Sequence, residues 1–282
     1  MTHPEPPAGV VAAEEPVTLG GLQGALPVLW WVPTDRPVTG VAWLQHGYAR
    51  KPQHMAGIAR ALTASGLLVA MPTVESFRRA RSINDKQYLD AIGRSLATLA
   101  EDDSALHRAV AHAGVTVPAE ALERLVLVAH SAGCAVAARA AGEALRHRAP
   151  LRGIVVLDAT ENLAKTFGPS LPDLTGTPVL GVFARPSRCN RKGQGAVALR
   201  DSREGFVGVR LTTGTHCDAE GAETDRVCRT MCGAPDPANV ALLREIAATW
   251  AADLATGGAT PDWRPHGERL AAEVEAGRVA VL

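Results

Sequence analysis

The chain has 282 residues, 46% hydrophobic and 21% charged, the profile of an ordinary globule able to bury a sizeable core. Lys+Arg and Asp+Glu stand at 29 each, so no global field exists to attract nucleic acid or an anionic membrane. No window approaches the roughly 18 continuous apolar residues of a membrane-spanning helix.

Residues 1–14 are rich in Pro, Ala and Glu and are expected to form a disordered tail. They carry neither a basic n-region nor an apolar h-region, so the expected location is cytoplasmic, or secreted if a leader has been removed. The remainder, 15–282, is expected to be a single α/β domain with a mostly parallel central sheet, helices on both faces and a minimal cap. Strands are expected at 15–19 and 26–32, around the turn G-G-L-Q-G, and at 38–45, ending at His46-Gly47. A helix at 54–65 closes on Gly66, and the strand 67–71 stops at Pro72. Helical patterns cover 84–100 and 104–113, with a short lead-in at 118–122. The run L-V-L-V-A at 125–129 has the continuous apolar character of a strand buried on both faces, and 132–145 is an alanine-rich helix. A second buried strand, 151–157, ends at Asp158; 159–176 is irregular. Strands at 178–183 and 205–211 follow, and 239–254 is an amphipathic helix.

The buried strand, the run A-H-S-A-G and the small-residue helix make Ser131 the candidate nucleophile. A serine on a sharp strand-to-helix turn needs small residues two before and two after it, here Ala129 and Gly133. The N-terminus of the following helix favours developing negative charge. The competing reading is a plain helix N-cap.

A serine nucleophile needs a histidine base, held in one tautomer by a buried acid. His216 follows the last strand directly in T-G-T-H-C-D, whereas His266 lies in a Pro-rich stretch beyond the last helix. The loop after 178–183, A-R-P-S-R-C-N-R-K-G, contains no carboxylate. Asp158 stands at the end of the preceding strand, 27 residues after Ser131 (158 − 131), with Glu161 as the reserve acid. The oxyanion hole is expected from the backbone N–H groups of Tyr48 and Ala132, with Gly47 permitting a close turn. His46 is read as ordering its loop, and His130 as pointing into the fold; neither is given a part in the chemistry.

Five cysteines do not describe a disulfide-dense scaffold. Cys217, Cys228 and Cys232 lie in a spacing unlike the usual zinc patterns, so a local disulfide or half-buried thiols are expected and no metal. Trp30 and Trp31 are read as core residues, the run R-R-A-R at 78–81 as a solvated loop, and 76–84 and 159–177 as the pocket rim.

Together H-G-Y, A-H-S-A-G, V-V-L-D-A-T and G-T-H-C-D resemble the α/β-hydrolase superfamily, from about residue 15 to 255. With its acid one strand after the nucleophile helix, the chain is similar to the chlorophyllase, platelet-activating-factor acetylhydrolase and lipase-like branch. That resemblance implies a Ser131/Asp158/His216 triad, no cofactor and a small-molecule carboxylic ester substrate. The elbow departs from chlorophyllases, which carry Gly first and a basic residue after the serine where this chain has Ala129 and Ala132, so pigment-ester cleavage is not carried over. An acyltransferase or thioesterase would use the same triad, and a non-catalytic ligand-binding member would share the fold. The residues do not specify the acyl group or the oligomeric state.

Overall fold

Apolar runs of five to seven residues alternate with amphipathic stretches along most of the chain, and each run becomes a strand. The computed structural model describes residues 3–282. Short strands come first: β1 (Val10–Glu14), β2 (Val17–Thr18), β3 (Ala25–Leu26) and β4 (Val28–Pro33). Then follow β5 (Gly40–Gln45), α1 (Ala56–Ala64), β6 (Leu67–Pro72), α2 (Lys86–Ala97), α3 (Ala105–Ala113) and α4 (Ala119–Leu122). The central unit is β7 (Leu125–His130), α5 (Gly133–Arg146) and β8 (Leu151–Leu157), continued by α6 (Phe167–Ser170), β9 (Val179–Phe183) and α7 (Gln194–Asp201). The chain ends with β10 (Gly208–Leu211), α8 (Arg226–Cys232), α9 (Pro237–Thr256), α10 (Glu268–Glu275) and β11 (Val279–Val281).

Nine of the strands form one sheet in the order β1-β4-β6-β5-β7-β8-β9-β10-β11. The stretch from β6 to β10 is parallel, while β1, β4 and β11 run antiparallel at its margins. β5, β6 and β7 are buried along their whole length, as strands covered on both faces must be. The two covering layers are separate cores. Trp30 belongs to the same core as Leu89, Ile92 and Val136 on one face, and its neighbour Trp31 to that of Ile58, Leu62 and Trp250 on the other. α2 and α5 meet almost backbone to backbone, because a Cβ at Gly93 would lie 2.4 Å from the Ala140 carbonyl oxygen.

Three expectations are corrected. The tail 1–14 is not loose throughout: Val10–Glu14 pairs in register with β4 as an edge strand of the main sheet, with Val10 and Val11 supplying β-branched residues. Residues 1 and 2 of that segment lie outside the described residues. The strand expected at 15–19 shrinks to the two-residue β2, and the strand expected at 205–211 begins only at Gly208. Helices α6, within the stretch 159–176 expected to be irregular, α7, α8 and α10 and strand β11 are additions; the helices have four to eight residues each and the strand three, too short to stand out by periodicity.

Candidate active site

The carboxyl ends of β5, β7, β8, β9 and β10 converge on Ser131. The chain turns there with Ser131 at φ 55°, a left-handed conformation that an L-residue adopts only under constraint. Three main-chain bonds hold it: the Ser131 N–H donates to Leu157 O at 3.0 Å, and its carbonyl accepts from the Cys134 N–H at 3.0 Å and the Thr160 N–H at 3.2 Å. The need for glycine two residues later is steric. A Cβ on Gly133 would sit 2.3 Å from the His46 carbonyl oxygen, so the first turn of α5 lies directly on the end of β5. Gly47 has the same restriction, with Ser131 Cβ 2.9 Å from where its own Cβ would be. Ala129 is fully buried, and its carbonyl accepts from the Cys134 thiol at 3.1 Å, so a methyl group is accommodated two residues before the serine.

His216 enters from the turn after β10. Asp218 builds that turn: its carboxylate accepts from the Thr215 N–H at 2.7 Å, the Thr215 hydroxyl at 3.1 Å and the Asp236 N–H at 2.9 Å. His216 Nδ1 lies 2.6 Å from Asp158 Oδ2, and Nε2 lies 2.8 Å from Ser131 Oγ. A carboxylate can only accept, so Nδ1 carries the proton and Nε2 is free to accept from the serine hydroxyl. Burial opposes a charge on the ring, but the hydrogen bond and the charge of Asp158 outweigh it, and the His216 pKa is raised above the usual histidine value.

Asp158 is buried, at φ 44° past the end of β8. Its Oδ1 accepts from the Ala184 N–H at 3.0 Å, and the Asn190 amide donates to Oδ1 at 3.1 Å and Oδ2 at 3.2 Å. Asn190 was missed in the sequence. It is fully buried, with its Oδ1 accepting from the Ser187 and Gly193 N–H groups, which locks its amide orientation. The loop after β9 thus lacks an acid and supplies the acid's hydrogen-bond partner. Glu161, the reserve acid, does not face His216. Its two oxygens accept from the Phe167 and Gly168 N–H groups at 2.8 Å each, capping α6, whose unpaired N–H groups attract a carboxylate. His266 is exposed, far along the chain.

The two other histidines near the serine are structural. His46 Nε2 accepts from the Val74 N–H at 3.1 Å and Nδ1 donates to the Gly47 carbonyl at 2.9 Å; burial pushes its pKa down to about 4. His130 Nε2 donates to the His216 carbonyl at 3.0 Å, and the two rings lie 4.7 Å apart. Burial, then the neighbouring His216, hold the His130 pKa well below its usual value, so the ring beside His216 stays neutral. The N–H groups of Tyr48 and Ala132, expected at the oxyanion position, donate to no protein acceptor among the described residues.

A cleft of about 330 Å³ opens beside Ser131 and His216, lined by Tyr48, Arg50, Val227, Met231 and the disulfide Cys189–Cys232. Arg50 is neutralised within it by Glu220 at 3.1 Å and by Asp225. The expected rim segments 76–84 and 159–177 contribute no lining residue to this cleft. Its wall is α8, which presents Val227 and Met231 at 65% and 72% exposure. Of the two expected readings for the late cysteines, thiols fit Cys217 and Cys228, which are unbonded and buried, whereas Cys232 is bonded, and its partner is the distant Cys189, 43 residues back. The sulfurs of Cys217, Cys228 and Cys232 cluster within 4.8 Å, with Cys232 already bonded.

No protein-family model matches the chain, and no curated protein does. Solved structures do. A thermostable esterase from Pseudomonas putida aligns at TM-score 0.59 and 15% identity over 88% of this chain and 84% of that one. A dienelactone hydrolase from Anabaena variabilis aligns at 0.58 and 15% over 86% and 97%. A fungal esterase from Rhizomucor miehei aligns at 0.56 and 15% over 91% and 86%. No helix among the described residues is long and apolar enough to cross a membrane. With its mostly parallel nine-stranded sheet and helices on both faces, the chain has the α/β-hydrolase fold.

Proposed function

We propose that the protein is a serine hydrolase that cleaves an uncharged carboxylic ester through an acyl-enzyme intermediate. The observation that carries the reading is the single imidazole of His216 bridging Asp158 at 2.6 Å and Ser131 at 2.8 Å. Ser131 Oγ attacks the ester carbonyl while His216 Nε2 takes its proton. Asp158 stabilises the imidazolium, and the N–H groups of Tyr48 and Ala132 receive the oxyanion. The imidazolium then protonates the departing alcohol. Water, deprotonated by His216, attacks the acyl-enzyme and releases the acid. Val227 and Met231 in the cleft, and the pairing of Arg50 with two carboxylates, support an apolar substrate without a charged group beside the ester. Asp158 following the strand next to the elbow, in place of an acid after β9, supports the chlorophyllase, acetylhydrolase and lipase-like branch. The Cys189–Cys232 disulfide supports an oxidising compartment over the cytoplasm.

Ser131→Ala tests the reading. The variant is expected to fold normally and to hydrolyse short p-nitrophenyl esters at least ~10³-fold more slowly. It is also expected to lose labelling by a fluorophosphonate that the parent accepts. An unchanged hydrolysis rate would sink the assignment.

A further inference from the structure

Three of the five cysteines, Cys189, Cys228 and Cys232, line the cleft, a fourth, Cys217, is buried against Cys228, and Cys217 and Cys228 are unbonded. Cys217 Sγ and Cys228 Sγ are 2.9 Å apart, closer than non-bonded heavy atoms pack (about 3.5–4.0 Å even for carbon). A bond of about 2.05 Å is less than ~1 Å of approach away. We propose that Cys217 and Cys228 are a second oxidation site and close into a disulfide that clasps α8 to the loop carrying His216.

The placement gives that bond a purpose. Cys217 directly follows His216, and Cys189 directly precedes Asn190, the amide that holds Asp158. The two cross-links therefore meet on α8 one helical turn apart, at Cys228 and Cys232, and fix this helix to the loops behind both His216 and Asp158. Cys228 is the thiol that starts the reaction. It lines the cleft, so a small reagent reaches it, and the hydrogen bond from Cys217 lowers its pKa against the opposing effect of burial. The Cys228 thiolate attacks a small-molecule disulfide, forming a mixed disulfide and expelling one thiolate. Cys217, deprotonated in turn, attacks the Cys228 sulfur and expels the second. Two protein thiols lose two electrons and two protons, and the reagent is reduced to two thiols.

Disulfide mapping of the wild-type protein decides it. The protein is incubated with oxidised glutathione, unfolded in N-ethylmaleimide and digested with trypsin. The four cysteines fall on separate tryptic peptides, 189–191, 211–226, 227–229 and 230–244. The expected map joins 211–226 to 227–229 at their summed mass less two hydrogens and joins 189–191 to 230–244, leaving Cys134 as the alkylated residue. Alkylation of both Cys217 and Cys228 beside an intact 189–232 link would overturn the proposal. So would linkage of Cys228 to Cys189 or Cys232, or stoichiometric zinc binding by the four thiols of the folded, reduced protein. The clasp has its own readout: the double variant C217S/C228S, with 189–232 intact, should be cut by trypsin within α8 roughly tenfold faster than the oxidised parent. Equal rates would mean that the bond holds nothing in place. Only the meaning of the clasp for the cleft rests on Ser131 being the nucleophile. Neither readout needs ester turnover, and Ser131→Ala must leave the map unchanged, so failure of the esterase reading is seen separately.

Discussion

The two halves of the candidate site are held by different means. On one side, Ser131 and the His46-Gly47 turn are fixed by main-chain sterics: a left-handed φ of 55°, and two glycines at positions where a Cβ would meet backbone or Ser131 within 3 Å. On the other, His216 and Asp158 are placed by side chains drawn from distant segments: Asn190, 32 residues beyond Asp158, His130, 86 residues before His216, and a disulfide spanning 43 residues. The first kind of order is local and rigid. The second is built from contacts between distant segments, which loop-closure entropy opposes.

Asp158→Asn cuts across that boundary and carries the largest expected effect. It leaves the geometry in place but reverses the tautomer of His216, and kcat/KM on a p-nitrophenyl ester should fall roughly 10⁴-fold. A loss under tenfold would mean that another group orients the imidazole. Gly133→Val tests the steric half alone. With its Cβ 2.3 Å from the His46 oxygen, it should lower stability by about 3 kcal/mol or more in urea unfolding, with no compensation from oxidising the cysteines. A variant as stable as the parent would show that α5 can slide away from β5.

The His46 turn also predicts a pH response. Its folded pKa is depressed from 6.5 to about 4, so the unfolded chain takes up a proton first as the pH falls. The stability associated with neutral His46 is complete above pH 6.5 and is lost progressively down to about pH 4, by roughly 3 kcal/mol. Urea midpoints measured across that interval should decline, and a flat profile would contradict the burial of this ring. The smallest effect tests the side-chain half. Asn190→Leu removes the donor to Asp158 and should lower kcat/KM about ten- to a hundredfold. Because the less-solvated carboxylate then pulls harder on the imidazole proton, the acid limb of the rate profile should move to higher pH. A lower kcat/KM with the limb unmoved would assign Asn190 to loop packing alone.

The same division explains what the sequence makes legible. The elbow is visible because its constraints act within five residues, and Ala129 in place of glycine does not hide them. Asp158 can be reached by elimination, since the loop after β9 has no acid. Asn190 in that loop looks like any turn asparagine, because its function depends on where β8 ends, which no local pattern records. Glu161 stays in reserve on the sequence alone, because its use as the cap of α6 depends on a four-residue helix that no local pattern marks. The wall of the cleft escaped for a related reason: α8 has seven residues, and the pairing of Cys232 with Cys189 cannot be deduced from spacing.

One of the bonds that join the two halves does not involve the serine hydroxyl. The imidazole of His130, the residue immediately before Ser131, donates to the main-chain carbonyl of His216. The residue that ends β7 therefore braces, through its side chain, the main chain of the turn after β10 that carries the partner ring. The two residues are thereby tied at the main chain as well as through the 2.8 Å contact between Oγ and Nε2, so any shift of the His216 turn away from β7 must break two hydrogen bonds, not one.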